Sequence, residues 1–252
     1  MAWTCSGSTN AELVANLAKH SILKTPRVIQ AFNQTDRTYY VPNKPYEDAP
    51  QRIGFGATIS APHMHAHAVE TLEPFLQPGA HVLDIGSGSG YLLSIFHKLV
   101  STPSPSGPGG GNDNSSNNNH NAGGGTVLGI DHLSSLVDLG SKNLSSDPTT
   151  QTASTPSIFN ILGDGRLGAP PEYLPPPASV VGGGEGGGGF EAIHVGAACR
   201  DFPQVLIDQL CRRGRMFVPV GEDWGEQHVW QIDKDQEGKV EKKKLFGVRY
   251  IP

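Results

Sequence analysis

Residues 81–93 set the terms for everything else the chain can do. An apolar run, Val82-Leu83-Asp84-Ile85, reads as a short buried strand. Gly86, Gly88 and Gly90 break it at alternate positions, and Tyr91 to Val100 resumes at helical spacing. Strand, glycine loop and helix together make a mononucleotide-binding corner. The glycines allow a tight turn and close approach of backbone to ligand, and unpartnered N–H groups at the helix start add donors.

The glycine spacing narrows the ligand. A dinucleotide fingerprint is G-x-G-x-x-G, whereas this loop is G-x-G-x-G with Tyr91 in the place of the third glycine. Asp84 lies inside the strand end, just before the loop. On these residues the stretch resembles motif I of the S-adenosylmethionine-dependent methyltransferases, which implies that Asp84 lies near the cofactor's amino acid part. A glycine loop by itself also serves as a plain strand–helix turn, so the other strand ends must decide.

Two further strands end in acids. Thr126 to Asp131 is β-prone, and with the 25 residues of 101–125 set aside Asp131 falls 16 residues beyond Gly90. That is close to the spacing of about 20 for an acid that takes ribose hydroxyls; the alternative is a cap for the helix Leu133 to Leu144. Ile158 to Leu162 runs into Gly163-Asp164-Gly165-Arg166, where Asp164 either turns the chain or accepts from an adenine amine. Phe190 to Ala198 and Arg215 to Gly221 read as strands, separated by a helix from Gln204 to Arg213. His228–Ile232 and Leu245–Tyr250 form a terminal hairpin, and Asn10–Ala18 and Pro26 onward are helical. The expected fold is α/β: a doubly wound, mostly parallel, Rossmann-like sheet with an antiparallel C-terminal hairpin and N-terminal helices.

Just upstream of the corner, Ala57-Thr58-Ile59 is a short β-prone run followed by Ser60-Ala61-Pro62. Ser60 is expected either to cap the next helix or to offer a hydroxyl where an anion binds. His63, His65 and His67 alternate in that helix. Only His63 and His67 share a face and no carboxylate or cysteine has ligand spacing, so no metal is expected.

Composition sets the remaining bounds. The net charge of −5 and the single Lys242-Lys243-Lys244 run give no reason to expect nucleic acid or a membrane. Cys5, Cys199 and Cys211 have neither disulfide-framework nor zinc spacing. With no signal peptide and no long apolar run, a soluble, cytoplasmic protein is expected, monomeric by default. The segments at about 101–125, 145–157 and 178–189, rich in Ser, Pro, Gly, Asn or Thr, cannot bury enough apolar surface to offset their ordering. They are expected to be flexible insertions in one methyltransferase domain spanning 1–252.

Across its length the chain resembles the protein-L-isoaspartate (D-aspartate) O-methyltransferase family. The residues that carry this are Ile53-Gly54-Phe55 with Ala57-Thr58-Ile59-Ser60-Ala61-Pro62-His63-Met64-His65-Ala66, then Leu83 to Gly90, Gly129 to His132, Gly163 to Arg166, Ala192 to Ala198 and Pro219 to Gly221. The resemblance implies S-adenosyl-L-methionine as cofactor and the free carboxylate of L-isoaspartyl and D-aspartyl residues in damaged peptides and proteins as acceptor. It makes Ser60 the active-site residue, with Thr58, Ile59 and His65 beside it and Ala197, Ala198 and Val220 near the peptide channel. Ala57, Asp84, Gly86, Ser87, Gly88, Asp131, His132, Asp164 and Gly165 fall at cofactor positions. It also implies that the methyl ester cyclises to a succinimide, whose hydrolysis returns part of the residue to aspartate. The Gly/Asn-rich insertions are foreign to compact members, and the short C-terminus is expected to lack a tail found in many relatives. An NAD-dependent oxidoreductase and a catalytically inactive cofactor-binding module are the alternatives; Tyr91 and Asp84 speak against the first, Ser60, His65 and Asp131 against the second.

Overall fold

The computed structural model describes residues 5–101, 125–150, 158–176, 188–222 and 225–248. Strands β3 (His81–Ile85), β4 (Thr126–Asp131), β5 (Ile158–Leu162), β6 (Phe190–Val195), β7 (Leu210–Val220), β8 (Gln227–Lys234) and β9 (Val240–Val248) make one sheet in the order β5-β4-β3-β6-β7-β8-β9. The first five pair in parallel, while β8 and β9 add on antiparallel. The mostly parallel sheet and the antiparallel C-terminal strands are as expected. A separate hairpin, β1 (Gln51–Gly54) and β2 (Ala57–Ile59), precedes the sheet.

Side-chain alternation along the strands divides the core into two layers. Val82, Val127, Ala192 and Phe217 face one way, onto a large cluster built with α1 (Asn10–Lys19), α2 (Pro26–Gln34), α3 (Pro62–Leu72), α4 (Tyr91–Val100) and α5 (Ser134–Ser146). Leu83, Leu128, Ile193 and Met216 face the other way, against Leu206 and Ile207 of α6 (Gln204–Gln209). Each fully buried side chain of this kind contributes roughly 1.5–3 kcal/mol of transfer free energy.

The glycine loop fixes how closely α5 approaches. Gly90, the cap residue of α4, has φ +80°, and a Cβ there would lie 3.0 Å from the Gly140 carbonyl oxygen of α5. Only glycine meets both demands without strain.

Two expectations need correction. The helix expected over Gln204–Arg213 stops at Gln209, and β7 already begins at Leu210. Leu210 pairs with Phe190, the register then slips so that Ala192 pairs with Arg215, and Arg213 takes up the slack at φ +60°. Lys234 of β8 supplies the cation at the helix end, its Nζ donating to the carbonyls of Asp208 and Leu210. Nor is 145–157 an exposed insertion throughout. α5 runs to Ser146, and Asp147 is fully buried, accepting from the Tyr40 hydroxyl at 2.7 Å with Lys98 Nζ 3.9 Å away. A polar residue can be interior when its lone pairs are met. Residues 151–157, and nearly all of 101–125 and 178–189, lie outside the described residues.

Candidate active site

From β3 the chain proceeds outward through β4 to β5, then returns to β6 on the other side of β3. The seam between β3 and β6 is therefore where strand order reverses, and ligands of open α/β sheets bind beyond the strand ends at such a seam. Asp84, Asp131 and the Asp164 turn stand at the ends of the three adjacent strands β3, β4 and β5. The acids that sequence spacing picked out are brought together by parallel pairing.

Each acid is held differently. Asp84 is buried and lies 2.7 Å from Nδ1 of His194, its register partner on β6. Asp131 is buried with Oδ2 accepting from the Gly88 N–H at 3.0 Å and Oδ1 from the Leu133 N–H at 3.1 Å. The Leu133 contact turns the chain rather than capping the helix, since the cap residue of α5 is Leu133 itself and no side chain caps it; each Asp131 oxygen keeps a second lone pair. Asp164 turns the chain through the Arg166 N–H and is forked by the Arg166 guanidinium, which brings its carboxyl down to about 2. Gly165 packs against Ile85, and His132 is exposed beside Asp131, 3.6 Å from its Oδ1.

A cavity of about 40 Å³ opens at the seam. Thr58, Ile59, Ser60 and His65 line it together with Asp84, Gly86, Ser87, Gly88 and Ser89, and Tyr91, Leu92, His194 and Gly196 complete it. A space of one or two water volumes suits the reacting ends of two ligands rather than a whole nucleoside. Ala57, Asp131, His132, Asp164, Gly165, Ala197, Ala198 and Val220 lie outside that lining. Ala197 and Ala198 are nevertheless tied to the end of β7: the Cys199 N–H donates to the Pro219 carbonyl, and Cys199 bridges Val220.

Ser60 is free of the capping duty considered for it. Ala61 is the cap residue of α3, and the exposed helix N–H at His63 is met by Asp48, whose Oδ1 also lies 2.8 Å from the His63 ring. Burial works to raise the Asp48 carboxyl, and the His63 contacts overcome it, leaving it below the usual range. The three histidines have three separate environments: His63 on Asp48, His65 on Arg37, and His67 against Phe246. Among the described residues no group of three His, Cys, Asp or Glu side chains is placed to hold a metal ion.

Two residues of the site escaped the sequence reading. Arg37 is fully buried under the cavity, with Nη1 3.2 Å from His65 Nδ1 and Nη2 donating to the Ser60 carbonyl at 3.3 Å. His194 stood within a quoted motif but had no role. Their partners lie 28 and 110 residues away in the chain, and only a pairing signal of that range could have found them.

A strand-end acid with a glycine loop, flanked by two further strand-end carboxylates, is a donor set that fits S-adenosylmethionine. The model of the family described as Protein-L-isoaspartate(D-aspartate) O-methyltransferase (PCMT) matches residues 8–252. The chain is 41% identical over 252 residues to a protein-L-isoaspartate O-methyltransferase of Caenorhabditis elegans, covering all of this chain and 95% of that one. Protein-L-isoaspartate O-methyltransferase 1 of Arabidopsis thaliana is 34% identical, over 99% of this chain and 94% of its own. Among solved structures, a Plasmodium falciparum beta-aspartate methyltransferase (PCMT) in complex with S-adenosyl-L-homocysteine superimposes with a TM-score of 0.75 at 28% identity, over 97% of this chain and 98% of that one.

Proposed function

Since the chain belongs to the protein-L-isoaspartate(D-aspartate) O-methyltransferase family and is an S-adenosylmethionine-dependent methyltransferase of isoaspartyl residues, we propose that Ser60 and His65 hold the acceptor carboxylate while the glycine loop holds the donor. The observation that carries this reading is the shared cavity: the 58–60 segment and His65 line it together with Asp84 and the Gly86–Ser89 loop. The oxidoreductase and inactive-module alternatives fall with the family match.

When bound, the cofactor supplies a methyl group activated by its sulfonium charge. The acceptor carboxylate, with an ordinary pKa near ~4, is ionised at pH 7 and requires no general base. The protein's work is therefore alignment and drying. Ser60 donates its hydroxyl to the carboxylate and fixes one oxygen along the line of attack. Ile59, Leu92 and the Tyr91 ring exclude water from that oxygen, which matters because the two reacting charges cancel as the bond forms. Asp84, Gly86, Ser87 and Gly88 hold the donor's amino acid end, and Asp131, His132, Asp164 and Gly165 its nucleoside, with Ala57 at the border. Thr58, Ala197, Ala198 and Val220 guide the peptide. The methyl ester then closes to a succinimide on the substrate itself, away from these residues.

We further propose that the protein acts as a cytoplasmic monomer, with damaged peptides and proteins as its partners and no nucleic acid. Cys199 and Cys211 form no disulfide, and no helix among the described residues is long and apolar enough to cross a membrane; light scattering checks the mass. The whole of 1–252 is read as one methyltransferase domain, testable as one unfolding transition. For the site itself, Ser60→Ala is expected to lower methyl transfer to an isoaspartyl peptide at least about tenfold, with S-adenosylhomocysteine affinity little changed. Unchanged turnover with labelled cofactor would remove Ser60 from its role.

A further inference from the structure

The Arg37 guanidinium has no access to solvent, yet every one of its nitrogens is engaged. Nε donates to the Pro45 carbonyl at 3.0 Å, Nη2 to the Ser60 carbonyl at 3.3 Å, and Nη1 faces His65 Nδ1 at 3.2 Å. The plane sits over the Tyr91 ring, 4.7 Å from its centroid. A guanidinium has only donors, so the contact to His65 has one possible sense: Arg37 donates and Nδ1 accepts. The remaining imidazole proton is then on Nε2, for which no protein partner is present among the described residues.

We propose that Arg37 is a positioning residue that locks His65 as the neutral Nε2–H tautomer, so that the acceptor carboxylate meets an uncharged hydrogen-bond donor. This inference rests on the placement of that carboxylate beside Ser60 and His65. The reason for neutrality lies in the reaction. Charge disappears as carboxylate and sulfonium methyl combine, so a cationic imidazolium would stabilise the starting carboxylate more than the transition state and slow the transfer. A neutral Nε2–H orients the oxygen without that penalty.

The charged and titratable groups around His65 agree with this. Arg37 approaches from the turn at 37–39, Tyr91 from α4, His194 with Asp84 from β6 and β3, and His63 from its own helix, itself turned towards Asp48. Burial first, and then Arg37, His194 and His63, push the imidazole well below the ordinary histidine range.

The test is long-range ¹H–¹⁵N NMR on the full chain with ¹⁵N-histidine, assigned by loss of the signal in His65→Gln. The wild type should show Nε2–H, with Nδ1 as acceptor, and remain neutral at pH 6. An Nδ1–H tautomer or an imidazolium at that pH overturns the proposal, and this measurement needs no Arg37 variant to fold. In Arg37→Met the His65 signals should shift to a mixture of tautomers. Its kcat for an isoaspartyl peptide should fall by about 10–100-fold, the loss expected when a reacting group is misplaced by about an ångström, with KM nearly unchanged. A variant with unaltered His65 tautomer but equal loss of kcat also overturns it, since Arg37 would then act only as packing. If the wild type shows the tautomer but Ser60→Ala keeps full turnover, the assignment of Ser60 fails while the Arg37–His65 lock stands.

Discussion

Asp164 and Arg166 show how much one side chain can depend on its near neighbour. The carboxyl is held at about 2 by the Arg166 fork and N–H, although the pair is exposed. A depressed carboxyl favours the folded state above the ordinary aspartate value and loses that advantage as pH falls through about 2. In the Arg166→Ala chain the Asp164 titration, followed by carboxyl NMR, should move up towards the ordinary value near ~4; an unmoved midpoint would mean the backbone N–H alone holds it. At this scale the sequence was legible wherever a residue's role depends on its own strand. Asp84, Asp131 and Asp164 each close a β-prone run, so their convergence followed from parallel pairing. Ser60 was ambiguous because the competing cap came from Asp48, 15 positions before His63 in the chain. Arg37 and His194 were silent for the same reason at longer range.

Elements meet at the glycine loop, and there the Gly90–Gly140 contact decides the spacing. Gly90→Ala combines a left-handed backbone cost of about 1–2 kcal/mol with an overpacking cost of about 1–3 kcal/mol against the α5 backbone. In a chain of this size that is a fall in Tm of at least about 5 °C. Gly140→Ala meets Asn160 Nδ2 at 2.9 Å and the Gly88 carbonyl at 3.0 Å, without an imposed positive φ. It gains about 1 kcal/mol of helix propensity, so its loss of Tm should be the smaller one, while its push on Gly88 should weaken S-adenosylhomocysteine binding by calorimetry. Equal losses of Tm in the two variants would contradict this division. The strand and helix periods made most elements legible, including the corner itself. The end of α6 was not, because Leu210 and its neighbours carry a pattern that suits either state, and pairing with Phe190 wins.

For the whole molecule, the buried cluster of Tyr40, Ser94, Lys98 and Asp147 joins the N-terminal segment, α4 and the end of α5. Burial lowers Lys98 to about 8, against an opposing pull from Asp147. Above that pH the folded chain has given up the Lys98 proton while the unfolded chain still binds it, so this group adds stability as pH rises towards the ordinary lysine value. Burial raises Tyr91 to about 12, so its effect is opposite and begins only near pH ~10, where the unfolded phenol ionises. Burial also raises the Cys199 and Cys211 thiols, Cys211 to about 12, which lowers stability above the ordinary thiol value; urea unfolding between pH ~7.5 and ~9.5 should therefore show the stability of the wild type rising relative to that of Lys98→Met, and parallel curves would exclude a Lys98 contribution. The same N-terminal segment carries Arg37, whose partners Ser60, His65 and Tyr91 are contributed by β2's exit, α3 and α4. The N-terminal segment is thereby part of the site: Phe32 and Tyr40 pack on the Tyr91 ring that follows the glycine loop, while Arg37 holds the His65 imidazole and the Ser60 carbonyl.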